Sequence, residues 1–358
     1  MTQATDSPGG TPTRYRKRAT LADVAADLGL NASTVSRALD PSRNSMVSAT
    51  TRERIIAAAE RLGYRPDIPA RSLMTGRTQT IVAIAANLGN PTITPVLHGV
   101  ASRSAIEGVV PIIAETNDDS EVFVDLVDHM LSRRVDAIIV MGARRRDTEA
   151  IESAARLVPV VVAFRPLLGV SVPVVMVDDR KGSELVAAHF ADLGHEAVTQ
   201  LPGPSDVMNF MLRDEGFTSV VTERGLDLLP APGQAEVPTF EEGRRLMREL
   251  LESGNPMPTA VFAHNDLMAI GAMSVLEERG IKVPDDISIA GYNDMALTAF
   301  LACPLTTVRY PGWDVGHAAA DTAIRMLAGE ENVASVCVEP VFVPRASTSS
   351  PQAEKTRR

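Results

Sequence analysis

The stretch TLADVAADLGLNASTVSRAL, residues 20 to 39, constrains this chain more than any other. Leu21, Val24, Ala25 and Leu28 recur at helical spacing behind Thr20, whose hydroxyl suits an N-cap. Gly29 supplies a turn, Asn31 can cap a second helix, and Val35, Ala38 and Leu39 form that helix's buried stripe. Its outward face carries Ala32, Ser33, Thr34, Ser36 and Arg37. Small hydroxyl residues beside one Arg suit a helix that enters a DNA major groove. The hydroxyls meet phosphates or bases, and Arg pairs bidentately with guanine. An ordinary helical hairpin with a polar face shares the pattern, and these residues alone leave both readings open.

The neighbourhood favours DNA. A third helix opens at Ser48 and runs through TTRERIIAAAERLGY, with Ile55, Ile56, Ala59 and Leu62 facing one way. The segment YRPDIPARSLMTGRT follows and gives way to a strand-like run, TIVAIAA. In order and spacing, ADVAADLGLNASTVSRAL, VSATTRERI and LGYRPDIPARSLMTGRT resemble the LacI family of bacterial transcription regulators. The resemblance extends from about Thr20 to Thr348. Further family-like stretches are VDDRKGSELVAAHFADLGH, PTAVFAHNDLMAIGAMSVLEERGIKVPDDISIAGYND and PLTTVR.

Length and charge agree with that reading. The 358 residues suffice for two or three domains with sizeable cores. Net charge is −10, yet Arg14–Arg77 holds twelve Lys or Arg against six Asp or Glu, about +6, which leaves about −16 to the remainder. A positive head on a negative body attracts a polyanion at one end only. Two cysteines, Cys303 and Cys337, form neither a disulfide framework nor a metal pattern and fit a reducing cytosol. No metal or cofactor is expected. No apolar run approaches the roughly 18 residues that span a bilayer, and MTQATDSPGGTPTRYRKR lacks the apolar centre of a secretory signal. The expectation is a cytoplasmic, nucleoid-associated protein without a membrane partner. Residues 1–19 read as a disordered basic arm whose RYRKR either touches phosphate weakly or only keeps the tail soluble. Residues 347–358 read as a disordered tail. The C-terminus shows no apolar heptad, so a homodimer is expected and not a coiled-coil tetramer.

Beyond residue 78, short apolar runs alternate with stretches of helical period. The runs include IVAIAA, VVPIIA, DAIIVM, PVVVAF, PVVMV, EAVTQL, TAVFA and DISIAG. Such alternation builds parallel sheets with helices on both faces, and the length suits two halves. The expected fold is an N-terminal all-α helix-turn-helix head followed by an α/β core. The resemblance refines the core to a periplasmic-binding-protein-like (type I) fold of two lobes with a ligand cleft between them. It implies a helix-turn-helix domain at 20–66, a hinge helix and linker at 67–77, and an effector-binding and dimerisation domain at 78–346. Lobe one would hold about 78–178 and 309–332. Lobe two would hold about 179–308 and 333–346, with the strand EPVFVP.

For the head, the resemblance implies a palindromic operator with a central CG step, bound by two heads on a two-fold axis. Thr20, Asn31, Thr34, Ser36 and Ser48 match positions that contact phosphate in the family. Several are helix caps in any case, and a helix N-terminus accommodates both roles. Ala32 and Ser33 stand where the family sets operator preference. Both are short, which shifts the reading onto Arg37 and DNA shape. In DIPARSLM, Asp67 can cap a short helix with Pro69 in its first turn, although Pro69 departs from the family's usual residue. So short a helix is unstable alone in water, so it forms against a symmetry mate and DNA. Leu73 matches the family leucine that wedges into a minor-groove step. A linker leucine tucked against the body is the alternative.

For the cleft, the resemblance assigns effector contacts to Arg213, Asn265 and Asn293. Amides hydrogen-bond sugar hydroxyls, and Arg213 suits a carboxylate or vicinal hydroxyls. A plain ion pair for Arg213, and helix capping by Asn265 and Asp266, are the alternatives. Four places depart from the family. Asn90-Pro91-Thr92-Ile93 replaces a stretch with aromatics, which puts Ile93 among the candidate contacts. Phe164 stands where a strand-end Asp is common, Asn209 replaces a small hydroxyl residue, and Pro238 replaces a stacking aromatic. The implied effector is a small molecule, a sugar or related metabolite. Its binding would change the angle between lobes, and a coupling of roughly 1–3 kcal/mol would alter operator affinity 5- to 150-fold.

Rival classes fit less well. A solute-binding protein shares the body but needs an export signal and no DNA head. No Gly-rich phosphate loop, G-x-S-x-G elbow or metal-spaced His or Cys cluster points to an enzyme. His98, His129, His189, His195, His264 and His317 read as surface or helix-end residues, and Asp178 and Asp179 as turn and capping residues. The expectation is a transcriptional repressor, with a regulator whose core no longer binds an effector kept beside it.

Overall fold

The computed structural model describes residues 19–40, 46–65, 76–167 and 169–351, which divide into two compact units, up to Thr78 and from Gln79 onward. The basic arm, the hinge residues 67–75 including Leu73, and residues 352–358 of the tail lie outside the described residues.

In the first unit, helices α1 (Leu21–Leu28), α2 (Ala32–Leu39) and α3 (Ala49–Leu62) enclose a small core. Each begins at a side-chain cap. Thr20 and Asp23 form a capping box on α1, Asn31 accepts the Ser33 N–H on α2, and Ser48 accepts the Thr51 N–H on α3. A cap of this kind satisfies an orphan amide and contributes about 1 kcal/mol. Gly29 ends α1 at φ 64°, a left-handed conformation that glycine adopts without strain, so the chain reverses at once into α2. Val24, Ala25, Val35, Ala38, Ile55, Ala58 and Ala59 are buried together. The inward stripe of α3 therefore runs through Ile55, Ala58 and Ala59. Ile56 and Leu62, expected to face inward, are 40% and 37% exposed, one rotated off the stripe and the other at the helix end.

The second unit has two lobes. Lobe one holds β1 (Thr80–Ala85), β2 (Val110–Glu115), β3 (Ala137–Val140), β4 (Val160–Ala163), β5 (Val174–Val177) and β11 (Val336–Val338). They form a parallel sheet in the order β2-β1-β3-β4-β5-β11. Helices α4 (Ile93–Ile106), α5 (Ser120–Ser132), α6 (Thr148–Ala155) and α11 (Gly312–Leu327) accompany it. Lobe two holds β6 (Ala197–Leu201), β7 (Asp227–Leu228), β8 (Ala260–Ala263) and β9 (Ser288–Ala290), parallel in the order β7-β6-β8-β9. An antiparallel pair, β10 (Thr307–Arg309) and β12 (Val341–Val343), joins it through bridges at Ala290–Thr306 and Asn293–Arg309. Its helices are α7 (Asp179–Asp192), α8 (Met208–Glu223), α9 (Phe240–Glu252) and α10 (Asp266–Glu278). Strands β3, β4 and β8 are buried throughout, which is why they read as unbroken apolar runs.

The chain crosses between lobes after β5, after β10, and between β11 and β12. The last crossing corrects the expectation that residues 333–346 lie wholly in lobe two. Val336–Val338 pairs with Val175–Val177 of lobe one, and Pro340, which has no N–H for a ladder, separates it from β12. Residues 347–350 are not a disordered tail either. The buried Ser347 hydroxyl accepts the Thr306 N–H at 2.7 Å and donates to the Ile289 carbonyl at 2.6 Å, and the Ile289 N–H donates to the Ser347 carbonyl at 2.8 Å. Backbone pairing orders a segment whose side chains are too polar to pack as core. No helix among the described residues is long and apolar enough to cross a membrane.

Candidate nucleic-acid interface and effector cleft

The packing of α2 onto α1 and α3 decides what the head displays. Val35 and Ala38 face inward, so Asn31, Ala32, Ser33 and Arg37 are exposed while Thr34 and Ser36 are half-buried at the edges of that face. Arg37 lies back along its own helix, Nε donating to the Ser33 carbonyl at 3.1 Å. Thr20 and Ser48 are exposed caps at the starts of α1 and α3. The surface thus presents hydroxyls, helix N-termini and one guanidinium, all held by a buried apolar core.

The cleft lies between the lobes of the second unit. From lobe two, α8 projects Asn209 and, one turn on, Arg213, which are 5% and 3% exposed. Asp179, the first residue of α7 and fully buried, meets both. Its Oδ1 accepts from Arg213 Nε at 2.8 Å and Nη2 at 2.7 Å, and its Oδ2 accepts from Asn209 Nδ2 at 2.6 Å. Arg213 Nη1 donates to the His264 carbonyl, and the guanidinium lies 3.7 Å from the ring centre of Tyr292. Gly182, one turn along α7, makes room for that ring, because a side chain there would strike it. A planar fork held between a carboxylate and an aromatic face is a role that Lys does not fill. His264 is fully buried, bonded to Gln200 Oε1 at 2.9 Å and accepting the Gly203 N–H at 3.3 Å. Burial, aided by the charge of Arg213, holds its imidazole well below the ordinary range, so it is neutral. His195 is also buried, at 3% exposure. His264 is therefore not the surface or helix-end residue expected, whereas His195 stands just past the end of α7 as expected but is buried there, its Nδ1 2.9 Å from the Thr259 hydroxyl.

Lobe one supplies Phe164 and Arg165. Phe164 sits at φ 65°, and its carbonyl accepts Asn209 Nδ2 at 3.1 Å and the Tyr310 hydroxyl at 3.4 Å. Its ring meets Tyr310 edge-on, 5.4 Å between centres. Arg165 pairs with Asp118, which Arg144 also approaches at 3.4 Å. Burial pushes the Asp118 carboxyl up, and the two guanidiniums more than offset this, leaving it below the ordinary range. Arg144 also pairs with Asp206 of lobe two.

The cavity these walls enclose measures about 30 Å³. Phe164, Asn209, Arg213, Asn265 and Asn293 all line it, and Pro238 does too. Asn265 is at the same time the N-cap of α10, accepting the Met268 N–H at 2.8 Å and donating to the Pro238 carbonyl at 2.8 Å. Ile93 does not reach the cavity. It is 2% exposed within the apolar cluster of lobe one, where the first turn of α4 packs, and Asn90 takes the place at the wall. Asp266 is not a cap but a fully buried carboxylate, accepting the Thr307 hydroxyl at 2.6 Å and the Met295 N–H at 2.7 Å. Burial drives its carboxyl up to about 7 against the pull of those bonds.

Arg165, Phe210 and Tyr310 join the wall without having been singled out. The first two directly follow Phe164 and Asn209 in sequence, and Tyr310 directly follows PLTTVR, so adjacency was the signal available. Asp178 is indeed the cap of α7, accepting the Lys181 N–H, whereas Asp179 is the counter-charge of a residue 34 positions away. Nothing local distinguishes the two. Among the described residues no group of three or more His, Cys, Asp or Glu is placed to hold a metal ion.

Comparison with known proteins finds relatives for both regions of the chain. Residues 20–67 match the family described as bacterial regulatory proteins, lacI family, and residues 187–348 match a periplasmic binding protein-like domain. The HTH-type transcriptional repressor CytR of Escherichia coli (strain K12) is 31% identical over 318 residues, 87% of this chain and 91% of its own length. The HTH-type transcriptional repressor PurR of Haemophilus influenzae (strain PittEE) is 29% identical over 339 residues, covering 93% and 99%. A lac repressor dimer bound to operator and the anti-inducer ONPF is similar at a TM-score of 0.85 and 26% identity, over 93% of this chain and 100% of that one. The transcriptional regulator CelR–cellobiose complex follows at 0.70 and 27%, over 92% and 100%. CytR and PurR are HTH-type transcriptional repressors, the lac repressor is bound to its operator, and CelR is a transcriptional regulator. With 31% identity to CytR across 87% of its length, the chain belongs to the LacI family of bacterial transcription regulators.

Proposed function

We propose that this protein is a repressor that binds a palindromic operator with a central CG step as a homodimer in the cytoplasm. Its operator affinity is set by a small, sugar-like effector in the interlobe cleft. The observation that carries the reading is the exposed face of α2, where Ser33 and Arg37 stand on an apolar core within a basic N-terminal stretch of a chain that is acidic as a whole. Arg37 reads guanine. Thr20, Asn31, Thr34, Ser36 and Ser48 contact phosphate, Ala32 and Ser33 fit against base edges, and Leu73 wedges the minor groove. Phe164, Asn209, Arg213, Asn265 and Asn293 hold the effector. Two apolar surfaces support a homodimer: Ile106, Val110, Ile112 and Ile113 around the edge strand of lobe one, and Leu297 and Phe300 in lobe two. Phe300 is 83% exposed, and apolar area of that kind marks an interface. The lac repressor relative is a dimer on its operator and the CelR relative holds cellobiose. A second reading, a core that needs no effector, has the 30 Å³ cavity in its favour.

Genome-wide capture of bound DNA is the test. Recovered sites should share a palindrome centred on CG, and purified protein should bind it with an affinity that falls steeply with salt. Absence of preference for any duplex at moderate ionic strength would overturn the proposal.

A further inference from the structure

We propose that lobe one carries, between α5 and α6, a docking groove for a short amphipathic helix of a partner protein, one whose apolar stripe is flanked by Lys or Arg. The groove shares no lining residue with the cleft, and the inference does not depend on what the cleft binds.

Both helices cover the same face of the lobe-one sheet, where Phe123 of α5 and Ile151 of α6 turn into the core. Beside these residues the helices leave a groove of about 410 Å³. From α5 it is lined by Val124, Val127, Asp128 and Leu131. From the turn before α6 onward it is lined by Arg146, Glu149, Ala150, Ser153, Ala154 and Leu157. Each set repeats at steps of three and four residues, so each is one continuous stripe along a helix. Val127 and Ala154 are buried and form the floor, whereas Val124 and Leu157, 43% and 71% exposed, stand on the walls. Two facing stripes of this spacing over an apolar floor match the apolar face of a third helix. A helix of about three turns spans the longer stripe.

Charge specifies the flanks of that helix. Asp128 and Glu149 stand on opposite walls, exposed and without an ion-pair partner among the described residues. Arg146, the cation of the lining, is already engaged: Nε donates to the Ser120 hydroxyl at 2.5 Å and Nη2 to the Asp118 carbonyl at 3.0 Å. Lys or Arg on either side of an apolar stripe pairs with both carboxylates, and an acidic helix is repelled by them. A second copy of this chain is a poorer occupant, since the chain outside Arg14–Arg77 carries about −16.

Fluorescence anisotropy on the full-length protein tests this with a labelled synthetic helix of about 14 residues. It carries Leu at i, i+3, i+4 and i+7 with Lys on both flanks. A scrambled isomer keeps the composition without the stripe, and a third peptide has Glu in place of Lys. The striped Lys helix should bind at least about tenfold tighter than its isomer, and the Glu helix should not bind. Asp128→Lys with Glu149→Lys should weaken the Lys helix more than about tenfold and admit the Glu helix. The same reversal on lobe two, Glu223→Lys with Asp227→Lys, should leave binding within about twofold. Leu157→Ala should weaken it about fivefold. All these positions are exposed, so the unfolding midpoint should stay put. Equal binding of the scrambled isomer, or a loss matched by the lobe-two reversal, means plain attraction to an acidic protein and overturns the inference. Silence from every peptide overturns it too. A hydrophobic amine such as phenylbutylamine that occupies the groove where the peptides fail would make it a small-molecule site. Dissociation to monomer in the groove variants would make it a contact between copies, and either result overturns the proposal.

Discussion

The head and the cleft hold their recognition chemistry in opposite ways. In the head, the groups offered to a partner are exposed and belong to single turns of helix, and the buried residues beneath them are all apolar. In the cleft, the groups are buried and already bonded to one another across long sequence separations, as Arg213 is to Asp179. An exposed face recognises by what it has left unsatisfied. A buried network leaves little unbonded, here the Asn209 Oδ1 and the Tyr292 hydroxyl. The first is robust to substitution at the surface and the second is not.

Substitutions can break or sharpen that contrast. The largest effect is expected from Asp179→Ala, which leaves Arg213 buried without a counter-charge. Urea unfolding should show a loss of about 3–5 kcal/mol, most of it recovered when Arg213→Met is added. A loss below about 1 kcal/mol would mean that the pair is better hydrated than its burial implies. Next is Ile55→Ala, the largest fully buried side chain of the head. Removing it should cost about 2–5 kcal/mol, enough to unfold so small a domain. Operator binding should vanish while the unfolding midpoint of the core stays put.

A pH series separates the two regions further. Asp266 has its carboxyl raised from 3.8 to about 7 in the fold, so the folded state holds its proton more tightly than the unfolded state does. Stability from this group is complete below about pH 4 and is lost as pH rises through 7. The stability advantage of wild type over Asp266→Asn should therefore shrink between pH 4 and 7, read as the difference in unfolding midpoints. A gap that widened instead would refute the burial argument. The smallest effect is expected from Arg37→Ala. It should weaken operator binding about 10- to 100-fold, chiefly at one guanine, with no shift in thermal midpoint.

The same contrast explains what could be read in advance. The head's helices were legible because caps, turn glycine and apolar period are local signals, each within a few residues of its effect. The long parallel strands were legible because a strand buried on both faces is an unbroken apolar run. β7, two residues long, and β11, which shares the stretch VCVEPVFV with a strand of the other lobe, carry too few residues for a pattern. In the cleft, family resemblance pointed to five residues that meet at one cavity, yet it also named Ile93, whose side chain packs into the apolar core. It gave no hint of the burial of Asp179, Asp266 and His264, because burial of a charge depends on partners brought in from distant segments.

Residue order alone determined that this chain has a small basic helical head, an α/β body of repeating strand and helix, and a hydroxyl-rich face with a single arginine. Those properties follow from periodicity and composition, which act over one or two turns of chain. Only the tertiary structure decided which charges are spent on one another, which histidines lose contact with water, and which strand belongs to which lobe. Pairing and desolvation depend on separations in space of a few ångströms, and the folded chain sets those distances between residues that stand tens of positions apart.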